Sequence, residues 1–225
     1  MKVTMQNLLK SIESQLTTRA FKSGATLLYQ SEIPRQAIII RKGFVRAYTI
    51  TSSGDERIVA LYTKDDVLPL SWIYGETNTT LFYYEAGSDV EVALINRDAF
   101  VEVVRSSAEF TQLIMRYIVN EHTSQLMRIT ALEQSNASDK VAFTLYYLLL
   151  RHGKERQPGF YTVGLKLTQS TIAGLVGITR ESTAITIAKL KKRGVVSYQN
   201  FIYVIDKKKL EQFIGEDSFK DVTLS

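Results

Sequence analysis

The 225-residue chain is predicted to be an α+β protein in three parts. These are an N-terminal antiparallel β-roll of jelly-roll type (1–107), a long helix (108–134) and a C-terminal winged helix-turn-helix (135–225). Three observations carry the prediction. From Phe21 to Leu70, short runs of Ile, Val, Tyr and Thr are broken at Gly24, Pro34, Gly43 and Ser53-Gly54-Asp55, so turn signals recur about every ten residues. From Ala108 to Leu132, apolar residues fall mostly three or four apart, the period of a helix. From Thr168 to Arg193, two helical patterns flank a glycine, and a β-rich hairpin follows.

Residues 1–19 read as a short amphipathic helix on Leu8, Leu9, Ile12 and Leu16. No ten-residue helical pattern separates the strands that follow, which argues for an antiparallel roll over a parallel sheet. TLFYYEAG and DVEVALI add a further strand pair, and Asp98–Val104 a short helix. The stripe Phe110, Leu113, Ile114, Tyr117, Ile118, Leu126, Ile129 and Leu132 must be buried. A helix of this length outreaches one small domain, so pairing with a second copy in a homodimer is the economical solution. A long core helix of a monomer is the alternative. Polar Ser135–Asp139 is the expected hinge, Lys140–Arg151 a further helix, and HGKERQPG a loop leading through Tyr161–Leu165 into the paired helices.

The pair itself is predicted at Gln169–Val176 and Thr179–Lys192 around Gly177, with Ile172, Leu175, Ile178, Ile187 and Leu190 inward. Thr168 and Thr179 suit the two N-caps, and glycine suits the turn. The second helix carries Arg180, Glu181, Ser182 and Thr183 in its first turn and Lys189, Lys191, Lys192 and Arg193 at its end. That distribution suits a helix entering a major groove. The bland alternative is a helical hairpin with a solvated basic end. VVSYQNFIYVID turns around Gln199-Asn200 and reads as a wing.

Composition narrows the function. Hydrophobic residues make up 45% of the chain and the formal net charge is +5, enough for real cores and inconsistent with general disorder. Between Arg151 and Gly215 twelve Lys or Arg face four Asp or Glu, so the positive charge is concentrated where a polyanion would bind. There is no cysteine, which excludes disulfides and thiolate-held iron–sulfur clusters. His122 and His152 have no metal-ligand spacing, so no metal and no cofactor are expected. The absence of a signal-peptide pattern and of a membrane-length apolar run points to a cytoplasmic protein with no membrane partner. No nucleophile–base pair or phosphate-cradling loop stands out, so an enzyme is not expected.

The order of parts resembles the CRP/FNR family of bacterial transcription regulators. The resemblance is densest in LTQSTIAGLVGITREST and KLKKRGVV, and extends to KSGATLLYQSE, IIIRKGFVRAY and GDERIVALY in the roll. It implies a homodimer acting on double-stranded DNA at a near-palindromic operator, with RNA polymerase as a further partner if the protein is an activator. By the same resemblance Arg180 and Glu181 read base edges, and Thr168, Gln169 and Thr179 contact phosphate; from their place on the second helix, Thr183 and Ile185 are further base-reading candidates and Lys189, Lys191 and Lys192 further phosphate contacts. An arginine can donate twice to guanine and a carboxylate can accept from cytosine. Glu181 orienting Arg180 is the alternative role.

Two departures from the family pattern stand out. Ile185 replaces an arginine common one turn into the recognition helix, and an isoleucine can touch only a thymine methyl there. Pro69-Leu70 and Thr80-Leu81 replace the Gly-Glu and Arg-Ser pairs of cyclic-nucleotide-binding members, so cAMP and cGMP are not expected. Trp72, Tyr74, Phe82, Tyr83 and Tyr84 are candidates to line a pocket for another effector, which the sequence does not identify. The rival reading is a ligand-binding sensor whose basic end docks an acidic protein.

Overall fold

The computed structural model describes residues 4–215. Their contacts group the chain into two units, 1–118 and 119–225, with the division inside the long helix.

The first unit runs α1 (Met5–Ser11), β1 (Thr17–Phe21), β2 (Thr26–Leu28), β3 (Ala37–Lys42), β4 (Val45–Ile50), β5 (Glu56–Tyr62), β6 (Val67–Leu68), α2 (Leu70–Ile73), β7 (Tyr83–Ala86), β8 (Val90–Ile95) and α3 (Arg97–Ser106), then enters α4 (Ala108–Leu132). Two antiparallel sheets form, in the orders β1-β8-β3-β6 and β2-β7-β4-β5. The run Ala37-Ile38-Ile39-Ile40 shows why a strand can be apolar without alternation. Ala37 and Ile39 pack with Leu8, Leu9, Ile73, Phe100 and Ile114 on the helical side, whereas Ile38 and Ile40 pack with Val45, Leu68, Tyr84 and Val92 inside the roll. Successive side chains point to opposite faces, and here both faces are covered.

Several expectations are corrected. The N-terminal helix ends at Ser11, and Thr17 already belongs to β1, paired with Leu94 of β8. The exposed residues of that edge strand lacked the alternation that marks a strand in sequence. The segments read as one strand pair, β7 and β8, lie in different sheets. The short turn Gly87–Asp89 carries the chain from one sheet to the other, and a Cβ at Gly87 would strike the Phe44 ring.

The second unit contains the rest of α4, then α5 (Ala137–His152), β9 (Gly153–Gln157), β10 (Phe160–Val163), α6 (Gln169–Val176), α7 (Arg180–Lys192), β11 (Val196–Gln199), β12 (Ile202–Asp206) and α8 (Lys207–Ile214). Every residue from Val141 to Leu149 is buried, the signature of a helix surrounded by its own domain. It contacts α6, α7, α8, β9 and β10. HGKERQPG is no simple loop but contains the whole of β9, at the edge of a four-stranded sheet β11-β12-β10-β9. Its exposed, charged residues fit an edge and hid the strand from pattern reading. α8 was likewise unpredicted, and residues 216–225 of the expected winged domain lie outside the described residues.

Candidate nucleic-acid interface

Local chemistry places the two helices of the pair. Thr168 Oγ1 accepts from Thr171 N (3.0 Å) at the start of α6, and Thr179 Oγ1 accepts from Ser182 N (3.2 Å) at the start of α7. Both threonines are therefore N-caps. Gly177 closes α6 in the left-handed region at φ 79°, and its N–H donates to Ala173 O. A side chain there would be strained, so the turn needs glycine. Ile172, Leu175, Ile187 and Leu190 are buried as expected, while Ile178 is only half-buried.

α7 separates into two rows. Thr183, Thr186, Ile187 and Leu190 are buried. Opposite them, at i, i+4, i+7 and i+11, run Glu181, Ile185, Ala188 and Lys192, all exposed. Ile185 is 71% exposed, which core packing cannot explain. Arg180 flanks this row, also exposed.

Thr183 corrects the sequence reading. It is 0% exposed, and its hydroxyl donates to Thr179 O at 3.0 Å. A side chain on the packed face cannot reach a base edge, so Thr183 is a structural residue. Ala188, not singled out from sequence, joins the outward row by its spacing alone.

The basic end is braced by aromatic rings. Lys191 Nζ lies 5.1 Å from the Tyr198 ring centroid on the wing, and Tyr198 packs on Tyr203. Lys189 Nζ and Arg193 Cζ lie 5.6 and 5.2 Å from the ring of Phe213 on α8. Each contact holds a flexible cation beside α7, Lys191 on the wing side and Lys189 and Arg193 on the α8 side. The wing turns at Asn200-Phe201, with φ 50° and 64°, one residue later than expected. This is the positive-φ pair of a type I′ hairpin.

The helix N-termini add to the cations. The first N–H groups of α6 and α7 lie beside exposed Thr168 and Thr179, and such ends attract anions.

In the first unit, the five aromatic residues expected around an effector lie in different surroundings. Trp72 packs in the cluster under the helices, Tyr84 in the roll interior with half-buried Phe82 against it, and Tyr83 stacks on Tyr48 at 5.2 Å. Tyr74 is exposed. Trp72 is further held by Arg97, whose Cζ lies 5.4 Å from the ring and whose Nε donates to Ile73 O at 3.0 Å. At the position of the family's cyclic-phosphate clamp, Thr80 is buried and its hydroxyl donates to Tyr29 O. Pro69 has no N–H to offer.

An outward polar and apolar row on the second helix of a capped pair, with a hairpin wing beside it, defines a winged helix-turn-helix DNA-binding protein. Comparison with known proteins agrees with this class. The model of the Crp-like helix-turn-helix domain matches residues 140–213, and that of the cyclic nucleotide-binding domain residues 18–107. Electron transport regulator A of Shewanella oneidensis is 26% identical over 198 residues, 87% of this chain and 74% of the relative. The fumarate and nitrate reduction regulatory protein of Vibrio cholerae is 25% identical over 200 residues, 88% of this chain and 78% of the relative. The fold is shared with FixK2 from Bradyrhizobium japonicum, at TM-score 0.72 and 17% identity over 88% of this chain and 96% of that one. A CRP-family regulator of Thermus thermophilus matches at 0.71 and 17% over 92% and 98%. The chain belongs to the CRP/FNR family of transcription regulators, a family of DNA-binding proteins and not of enzymes.

Proposed function

We propose that two copies of this chain bind a near-palindromic operator, each placing α7 in a major groove, with half-sites one helical turn, about 34 Å, apart. The exposed row on α7 carries this reading. Arg180 and Glu181 read base edges, and Ile185 packs on a thymine methyl, the one base contact an isoleucine makes well. Lys189, Lys191, Lys192, Gln169 and the N-termini at Thr168 and Thr179 hold phosphates and set the register. Dimerisation is supported by α4, where Met115, Ile118, Val119, Leu126 and Ile129 are exposed although apolar. Met115, Val119, Leu126 and Ile129 fall on alternating three- and four-residue steps with His122 between them, the pattern of a two-helix seam. The setting is the cytoplasm, and RNA polymerase is the further partner if the protein activates.

The test is selection of bound duplexes from a random pool with the unmodified protein, followed by Arg180→Ala and Lys192→Ala. A palindrome is expected. Arg180→Ala should relax one position in each half-site at a cost of about 1–3 kcal/mol, and Lys192→Ala should weaken all sequences alike and lower the salt slope by about 1. Recovery of no preferred sequence at any salt concentration would favour the rival, docking of an acidic protein.

A further inference from the structure

We infer that Arg128, on the dimerisation helix, is a positioning residue for the reading helix. The inference rests on the reading of α7 given above and adds how its placement is set.

α6 ends with carbonyls that lack helical partners, as every helix does. At this end Gly177 N and Ile178 N both donate to Ala173 O, at 2.8 and 3.2 Å. Leu175 O receives its bond from elsewhere: Arg128 Nη2 donates to it at 3.0 Å, from α4 and 47 residues away in sequence. A guanidinium also suits the partial negative charge of a helix C-terminus. Only Val176, Gly177 and Ile178 separate Leu175 from the N-cap of α7, so a shift of this carbonyl is passed directly to Arg180 and Glu181.

Arg128 is the last rung of a ladder. Glu121, Ser124 and Arg128 lie at i, i+3 and i+7, on one face of α4. Glu121 forms an ion pair with Arg151 of α5, and Ser124, buried, is hydrogen-bonded to Tyr147 of α5. The Arg128 charge faces the same Tyr147 before reaching α6. The opposite face of α4 carries the exposed row assigned to the second copy. Only the Arg128 rung reaches α6, so a rotation or slide of α4 in the dimer moves Arg128 and, through its bond to Leu175 O, the turn that aims α7.

The experiment uses full-length Arg128→Met, Arg128→Lys and Ser124→Ala. Affinity is measured for the selected operator and for a random duplex of equal length at one salt concentration. Arg128→Met, which keeps the apolar stem and loses the donor, is expected to lower operator affinity tenfold or more. Its affinity for the random duplex should stay within twofold of wild type. Arg128→Lys, which retains a donor and the charge, should hold the ratio of the two affinities within threefold. Ser124→Ala, which removes a contact to α5 alone, should leave the ratio unchanged. An unchanged ratio in Arg128→Met, or an equal loss in Ser124→Ala, overturns the inference.

A second readout needs no DNA. In wild-type protein under increasing urea, the amides of Val176–Thr179 are expected to become exchangeable together with those of Ser124–Arg128, as one cooperative unit. Release of the turn while that part of α4 stays protected overturns the inference, even where Arg128→Met fails to fold. Wild-type protein that selects no operator would instead overturn the reading of α7, and the exchange experiment distinguishes the two failures.

Discussion

The dimer reading makes Leu126→Ala its most direct test. Leu126 is 51% exposed on α4, and full burial of a leucine side chain is worth about 1.5–3 kcal/mol. Covering the exposed half is then worth about 1 kcal/mol per copy, or about 2 kcal/mol per dimer, because a two-fold interface uses the residue twice. Truncation to alanine removes most of this, so the dimer dissociation constant should rise about 10–30-fold. Leu126→Asp should go further, since burying two carboxylates against an apolar seam leaves them without partners. Sedimentation equilibrium over a concentration series reads both variants. Circular dichroism should show retained helix, because the exposed half of Leu126 meets solvent in the single chain. A monomer–dimer equilibrium equal to that of wild type in the aspartate variant would refute the reasoning, and the apolar row would then need another occupant.

Other outcomes follow from single residues. Thr183→Val should lower stability by about 1 kcal/mol in urea unfolding, through loss of the bond to Thr179 O, while leaving operator preference unchanged. A changed base preference would restore Thr183 as a reader. Thr179→Ala removes the N-cap of α7 and should cost about 1 kcal/mol in thermal or urea unfolding, with weaker operator binding. His152 supplies a pH test. Its Nε2 is enclosed with no hydrogen-bond partner, and burial, aided by Arg151, holds its pKa down to about 3, from an ordinary 6.5. The unfolded chain takes up this proton and the folded one does not. Stability is therefore complete above about pH 6.5 and falls as the pH drops toward 3, by about 2 kcal/mol at pH 5. Urea midpoints at pH 8 and 5 should differ less in His152→Leu than in wild type, and an equal difference would remove His152 from the acid response.

The sequence by itself determined the local chemistry of the reading head. Periodicity and two threonines bounded α6 and α7, and Gly177 marked the turn, because caps and left-handed glycines act within a few residues. What the sequence could not decide was anything set by distant partners. β1 and β9 are edge strands whose exposed residues show no alternation. β7 and β8 are neighbours in sequence but strands of different sheets. Trp72, Tyr83 and Tyr84 are aromatic alike yet divided among separate surroundings. Thr183 is the clearest case: one position along a helix, about 100°, separates an outward reader from a buried hydroxyl, and only the packing of α7 on its neighbours determines which face Thr183 occupies. Arg128 is the complementary case, an ordinary arginine in a helical pattern until the fold brings the end of α6 to it.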